Sequence, residues 1–115
     1  MNLYEWNRIP VEQVNPRFAR QVIHTENMTV ARLHLAKGCS VQEHKHINEQ
    51  VSMVETGSLR FILDGEVVVV RAGGVLRIPP NAIHSAEAIE DTYVVDLFSP
   101  RREDWIRGDD AYLRK

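Results

Sequence analysis

The segment GCSVQEHKHINEQ, residues 38–50, decides how this chain is expected to fold. Its histidines, His44 and His46, stand two positions apart, and side chains two apart on a strand point to the same side. Gln50 shares their parity on a regular strand, whereas Glu49 does not. The segment therefore predicts a strand that presents a metal site. Gln50 rather than Glu49 is expected as the third ligand, unless a β-bulge inverts the parity.

Short alternating segments separated by turn residues fill most of the chain. Residues 28–36, MTVARLHLA, alternate between two faces, which is typical of a strand with two different environments. Asp64-Gly65 separates the apolar runs 58–63 and 66–70, and this dipeptide is a strong signal for a two-residue hairpin. The periodicity therefore predicts antiparallel strands joined by tight turns.

The whole chain reads as an all-β protein. We count about eight strands by their period-2 pattern, and little helix apart from a short one near residues 103–106. This pattern predicts a single domain over residues 1–115, an antiparallel barrel or sandwich. Residues 1–20 are expected to form an N-terminal arm or an edge strand, either of this chain or exchanged with a partner subunit. Residues 100–115 are expected to form a charged C-terminal tail.

Composition excludes several classes of function. The net charge of −2 with mixed signs leaves no basic patch for nucleic acid. The longest apolar run, Val67–Val70, is too short to span a membrane, and the opening residues lack the pattern of a signal peptide. A single cysteine, Cys39, cannot form an internal disulfide and predicts a cytoplasmic protein. Its thiol is interpreted as a loop residue rather than a metal ligand.

A second block supplies a distant ligand. His84 follows the turn Pro79–Asn81 and heads a strand that is expected to lie beside the first one. Two blocks of the sequence resemble the two cupin motifs. The first motif has a glycine, His-x-His and a second glycine, as in GCSVQEHKHINEQVSMVETG (38–57). The second has a glycine, Pro-x-Gly and a histidine, and its counterpart here is GGVLRIPPNAIH (73–84). Gln50 stands where most cupins carry glutamate. Asn81 replaces a motif glycine, which is a mild change because asparagine tolerates a left-handed backbone.

This resemblance implies a fold and a cofactor. The fold is a small conserved β-barrel, a double-stranded β-helix of jelly-roll type, that tends to form homodimers. The cofactor is one divalent transition metal ion held by His44, His46, Gln50 and His84. Nickel, zinc, manganese, iron and cobalt all suit such a shell. Because every ligand is neutral, the ion keeps its full charge, so it should be a stronger Lewis acid but bind less tightly than with glutamate.

The last predicted strand has two different faces. Val94, Asp96 and Phe98 share one face, and an acid beside an aromatic suits the lining of a barrel mouth. Val95 and Leu97 share the other face, which is apolar and suits the packing of one sheet on another. Asp96 and Phe98 are therefore candidates for a site.

The C-terminal part of the sequence narrows the resemblance to one group of cupins. From about Arg32 to Leu113 the chain resembles the KdgF-type cupins of pectin and alginate breakdown. The segments that carry this resemblance are DLFSPRREDWIRGDDAYL (96–113), HKHINEQ (44–50) and IPPNAIHSAEA (78–88). This implies an enzyme that converts 4,5-unsaturated monouronates to the linear keto form, without redox chemistry or an organic cofactor. The glutamine ligand is a feature of the same group.

Catalytic roles carry over with the DxFxxxR pattern to Asp96, Phe98 and Arg102. Arg102 is expected to pair bidentately with the substrate carboxylate, Asp96 to transfer a proton, and Phe98 to shape an apolar wall. Asp104 and Trp105 are assigned to structure, and Arg101 is expected to face solvent. Whether Arg60 or His34 lines the pocket stays open. So do two other functions, a metal-dependent cupin dioxygenase and a non-catalytic sugar- or ligand-binding cupin.

Overall fold

The computed structural model describes residues 1–114 and places ten strands among them. In chain order they are β1 (Glu12–Asn15), β2 (Phe18–His24), β3 (Thr29–Leu35), β4 (Ser40–His44), β5 (Glu49–Thr56), β6 (Ser58–Leu63), β7 (Glu66–Arg71), β8 (Val75–Ile78), β9 (His84–Ala88) and β10 (Thr92–Ser99). The helix α1 covers Glu103–Ile106, and short 3₁₀ helices cover Trp6–Arg8 and Ala111–Leu113. The predicted all-β fold and the helix near 103–106 are confirmed.

Two antiparallel sheets enclose the interior. The larger sheet has the strand order β1-β2-β3-β10-β5-β8, and the smaller has β4-β9-β6-β7. The predicted hairpin joins β6 to β7 through Asp64 and Gly65, whose φ angles of 47° and 83° are those of a tight type I′ turn. In the part of the chain that the structure describes, no helix is long and apolar enough to cross a membrane.

The N-terminal region adds strands that the sequence left undefined. β1 lies at the edge of the larger sheet and pairs with β2 of the same chain. β2 begins at Phe18 and pairs along its length with β3. These strands account for part of the difference between the ten observed and the eight expected.

The interior changes from apolar to polar along neighbouring strands. On β3, every second side chain from Thr29 to Leu35 is buried, as the alternation predicted. On β10 and β5, the register pairs Val94 with Val54 at the apolar end. Asp96 with Ser52, and then Phe98 with Gln50, follow toward the other end. Polar side chains are thereby gathered at one part of the interior.

The expectation for the second face of β10 was wrong. Val94, Asp96 and Phe98 form the buried face, so this face, not the other, packs toward the opposite sheet. Val95 and Leu97 are half-buried on the outer surface of the larger sheet. Period-2 alternation separates two faces but does not say which one is internal, and an apolar outer face suggested the wrong choice.

Candidate metal centre and active site

Three histidines converge where β4 and β9 meet. His44 ends β4, His84 begins β9, and the two are opposite each other in the antiparallel register. His46 lies in the connection that follows β4. One nitrogen from each imidazole can be chosen so that all three lie within 4.8 Å of one another. This spacing allows a single ion to bind all three rings.

A turn outside the strands brings His46 into the cluster. The backbone N–H of Asn81 donates to the His46 carbonyl at 2.8 Å, which ties the two motif segments together. Asn81 has a φ of 63°, in the left-handed region where the motif usually carries glycine. Asparagine tolerates this conformation, so the departure at position 81 preserves the turn.

Each imidazole has its orientation and tautomer fixed by a backbone carbonyl. The Nδ1 atoms of His44, His46 and His84 lie 2.8, 3.0 and 2.8 Å from the carbonyl oxygens of residues 42, 48 and 82. A carbonyl only accepts, so Nδ1 must carry the hydrogen in all three rings. Nε2 of each neutral ring is then left with its lone pair, as a metal ligand requires.

Burial keeps these rings neutral. It lowers the pKa of His44 to about 4 and outweighs the opposing hydrogen bond to the Gln42 carbonyl. Burial likewise lowers the pKa of His46 to about 4, and the charge of Arg102 adds to the effect. The pKa of His84 is lowered too, again chiefly by burial. Near neutral pH the cluster therefore needs no deprotonation before it binds a cation.

Gln50 presents its carbonyl oxygen to this cluster. Its amide nitrogen donates to Ser52 Oγ at 3.0 Å and to Asp96 Oδ2 at 3.3 Å. These acceptors fix which way the amide faces, so Oε1 points toward His46 Nε2, 3.0 Å away. The chain between His46 and β5 is not a regular strand, so parity alone did not guarantee this placement. Glu49 lies outside and pairs with Arg77 at 2.6 Å.

The donor set fits a divalent transition ion. Gln50 Oε1 and His46 Nε2 are both acceptors in the tautomer just derived, yet they lie only 3.0 Å apart. Two acceptor lone pairs this close are unfavourable unless both can be donated to one cation. Four neutral ligands of this kind, His44, His46, His84 and Gln50, would hold the ion.

Asp96 lies beside Gln50 in the interior and is almost fully buried. Burial raises the pKa of Asp96 to about 7, although the nearby Ser52 hydroxyl and the charge of Arg102 oppose the shift. Oδ2 accepts from Gln50, while Oδ1 is buried and has no hydrogen-bond partner among residues 1–114. A buried oxygen without a hydrogen-bond partner costs free energy, so Oδ1 is suited to accept a hydrogen bond from a ligand in the pocket.

Arg102 is held rigidly over the same pocket. Its side chain is 1% exposed, and its guanidinium lies 4.7 Å from the ring centroid of Phe98 and 4.4 Å from that of Trp105. Nε and Nη2 donate to the two oxygens of Asp104 at 2.9 and 2.8 Å. The bidentate edge is therefore occupied by Asp104, not left for a substrate. Nη1 makes no hydrogen bond to any residue that the structure describes.

Apolar side chains form the rest of the cavity. Its space, including the open mouth, is about 470 Å³. The walls combine polar residues of the candidate site with apolar residues from both sheets, among them His44, Gln50, His84, Asp96, Arg102, Leu35, Leu59, Phe61 and Phe98. Phe98 also packs edge-on against His46, with ring centroids 5.7 Å apart. The pocket therefore joins the histidine cluster to solvent through an open mouth.

The residues left open by the sequence lie outside this pocket. Arg60 is exposed and pairs with Glu87 on the outer face of the smaller sheet. His34 stacks on Tyr93, with ring centroids 4.6 Å apart, on the outer face of the larger sheet. Arg101 is 39% exposed and pairs with Glu103. Cys39 is buried in the apolar core, and burial raises the pKa of its thiol.

Two residues of the site were missed from the sequence, one behind Gln50 and one in the pocket wall. Ser52 contacts Gln50 from the next inward-facing position on β5, and strand parity could have indicated it. Tyr112 lies near the end of the chain and reaches the pocket from the 3₁₀ helix Ala111–Leu113. No spacing rule relates Tyr112 to the histidines, because its position depends on how the tail folds back over the barrel.

Comparison with known proteins agrees with this architecture. Residues 31–99, more than half of the chain, match the family described as the cupin domain. The chain is a cupin. The predicted β-barrel with its two motif segments is thereby confirmed.

Individual relatives resemble this cupin over most of its length. It is 28% identical over 100 residues, 84% of this chain and 91% of the relative, to the pectin degradation protein KdgF of Dickeya dadantii. The structure of KdgF from Halomonas sp. aligns with a TM-score of 0.85 at 28% identity, covering 91% of this cupin and 98% of that chain. An RmlC-like cupin from Shewanella frigidimarina aligns with a TM-score of 0.85 at 26% identity, covering 91% and 96%. The predicted resemblance to KdgF-type cupins is confirmed.

Proposed function

We propose that this cupin is a metal-dependent enzyme that converts 4,5-unsaturated monouronates, sugars released from pectin or alginate, to their linear keto form. The observation that carries the proposal is a cluster of three neutral histidines, with Gln50 Oε1 beside it, next to a pocket that also holds Asp96 and an anchored Arg102. Similarity to a pectin degradation protein supports the same class of substrate.

The reaction is an isomerisation and needs no oxidant. Opening the ring breaks the bond between C1 and the ring oxygen. The C1 hydroxyl loses a proton and the ring oxygen gains one, which gives an aldehyde and an enol at C5. Ketonisation then moves the enol proton to C4. Every proton removed is returned, so residues that hold and move protons are sufficient.

The chain offers a group for each task. Asp96 Oδ1 would take a proton from a substrate hydroxyl and return one, because it is the oxygen without a partner. Arg102 would meet the substrate carboxylate through Nη1, since Asp104 occupies its other edge. Phe98 would limit the space available to the sugar ring. An ion held by His44, His46, His84 and Gln50 would supply Lewis-acid polarisation of a substrate oxygen.

The decisive assay follows the ultraviolet absorbance of the unsaturated uronate. This absorbance also decays spontaneously, so the rate must be compared with and without the protein. We expect the loaded protein to accelerate the decay, EDTA to remove the acceleration, and added divalent metal to restore it. Equal decay with and without protein, after loading with nickel, zinc, manganese, iron or cobalt in turn, contradicts the proposal. Oxygen uptake during turnover would favour a dioxygenase instead.

We further propose that the protein is a homodimer. The outer face of the larger sheet carries a group of half-buried or exposed apolar side chains, namely Val30, Val51, Met53, Val75, Val95 and Leu97. Packing a second copy on this face would remove apolar surface from water. Light scattering coupled to size exclusion at micromolar concentration should give twice the mass of one chain. The mass of a single chain would contradict the dimer.

A further inference from the structure

The C-terminal end of the chain closes over the metal pocket. Leu113 is buried, and its carbonyl accepts a hydrogen bond from the Asn15 side chain at 2.8 Å. Its neighbour Tyr112 lines the pocket, with its ring 4.8 Å from that of His44. The last described residues therefore form a strap, residues 110–114, that runs from the edge strand β1 to the candidate site.

Buried charges hold this strap in place. Asp110 pairs with Arg20 at 2.5 Å, and the two side chains are 3% and 5% exposed. Arg114 bridges Asp110 and Glu12 at 3.1 and 2.7 Å. Burial alone would raise the pKa of Asp110, but hydrogen bonds from Arg114 and Arg20 outweigh it and lower the pKa. Asp110 therefore stays ionised at neutral pH, and its ion pairs anchor the segment that carries Tyr112.

The hydroxyl of Tyr112 has an unused hydrogen. Its oxygen accepts from Arg102 Nη2 at 2.6 Å and from Trp105 Nε1 at 3.4 Å. Guanidinium and indole N–H groups only donate, so neither can receive the phenolic hydrogen. No residue within 1–114 accepts it either. The hydrogen is left for water or for a ligand in the pocket.

We propose that Tyr112 donates a hydrogen bond to an oxygen of the bound sugar, as a substrate-binding residue that the DxFxxxR pattern does not include. This inference rests on the proposed function for the identity of the sugar. Two donors converging on the phenolic oxygen leave the O–H as the only free donor of that group. This O–H group suits a hydroxyl, carbonyl or carboxylate oxygen beside His44, and a uronate carries oxygens of these kinds.

The variant Tyr112→Phe tests the proposal, because it keeps the ring against His44 and removes only the hydroxyl. We expect kcat/KM for the unsaturated uronate to fall by about 10-fold or more, as for the loss of a hydrogen bond to a buried polar group. Metal content should be unchanged. The control is Tyr93→Phe, on the outer surface of the larger sheet, which should match wild type. Unchanged kcat/KM in Tyr112→Phe overturns the inference while the proposed function stands.

A second comparison separates direct contact from an effect through Arg102. In an Arg102→Met background, removing the Tyr112 hydroxyl should still lower the residual kcat/KM. If it has no further effect there, Tyr112 acts only by positioning Arg102 and the inference is overturned.

A binding measurement keeps the inference testable if the wild type does not turn over the unsaturated uronate. Calorimetry with D-galacturonate on the metal-loaded protein should then show weaker binding by Tyr112→Phe than by wild type. Equal binding, or no binding by either protein, overturns the inference independently of the proposed reaction.

Discussion

Replacing His84 with alanine is expected to leave the purified protein with less than about a tenth of the wild-type metal content and no measurable acceleration of uronate decay. Loss of a residue that only orients a metal ligand already costs about 10- to 100-fold in affinity, and loss of the ligand itself should cost more. His84 is also the strand partner of His44, and neither of its neighbours, Ile83 and Ser85, carries an imidazole that could take its place. Elemental analysis after equal metal loading measures the result.

Two further variants make this prediction specific. His84 is 3% exposed, so His84→Ala leaves a cavity, whereas His84→Leu fills most of the volume, offers no ligand atom and should still bind metal poorly. His34→Ala removes a histidine from the outer sheet face and should keep the wild-type metal content. Wild-type stoichiometry in both His84 variants would show that the ion binds elsewhere.

A contact with Asp96 explains why position 50 carries glutamine rather than glutamate. Its amide nitrogen donates to Asp96 at 3.3 Å while its oxygen faces His46. A glutamate would place a second carboxylate against buried Asp96, and like charges at this distance disfavour joint ionisation. Gln50 can offer an oxygen to a cation and a donor to Asp96 together. The departure from the usual cupin ligand therefore follows from the acid on β10.

The sequence determined much of this site because its features are local. His44 and His84 end up together through strand pairing and a turn, both of which the spacing of the two motifs indicates. Period-2 alternation on β10 placed Asp96 and Phe98 on one shared face, although it could not show that this face is internal. These relations need only the geometry of a strand and the chemistry of turn residues.

What the sequence could not provide depends on how the C-terminal tail packs on the barrel. Tyr112 reaches His44 because the strap is anchored to distant residues, among them Asn15, 98 positions away from Leu113 in sequence. The role of Asp104 on the bidentate edge of Arg102 depends on how α1 turns back over the barrel. Neither has a periodic signal, since both are set by the packing of a tail on a finished fold.

Arg102 and its neighbour Arg101 should differ sharply in their effect on activity when each is replaced with methionine. Arg102→Met is expected to lower kcat/KM by about 10- to 150-fold, since hydrogen bonds between charged groups contribute about 1.5–3 kcal/mol and the substrate carboxylate would lose its partner. Most of the loss should appear in KM if Arg102 binds the carboxylate equally in ground and transition states. Arg101→Met is the matched control, because that side chain is 39% exposed and pairs with Glu103 at the surface.

Stability must be measured beside activity, because Arg102 also packs between Phe98 and Trp105. Methionine keeps most of the apolar contact, and Asp104 is partly exposed, so solvent can reach it once its partner is lost. Arg102→Lys retains the charge but not the fork that holds Asp104 on one edge and leaves Nη1 free, so it should recover little activity. Wild-type kinetics in Arg102→Met with metal retained would remove Arg102 from the mechanism, whereas full recovery in Arg102→Lys would show that charge alone is sufficient.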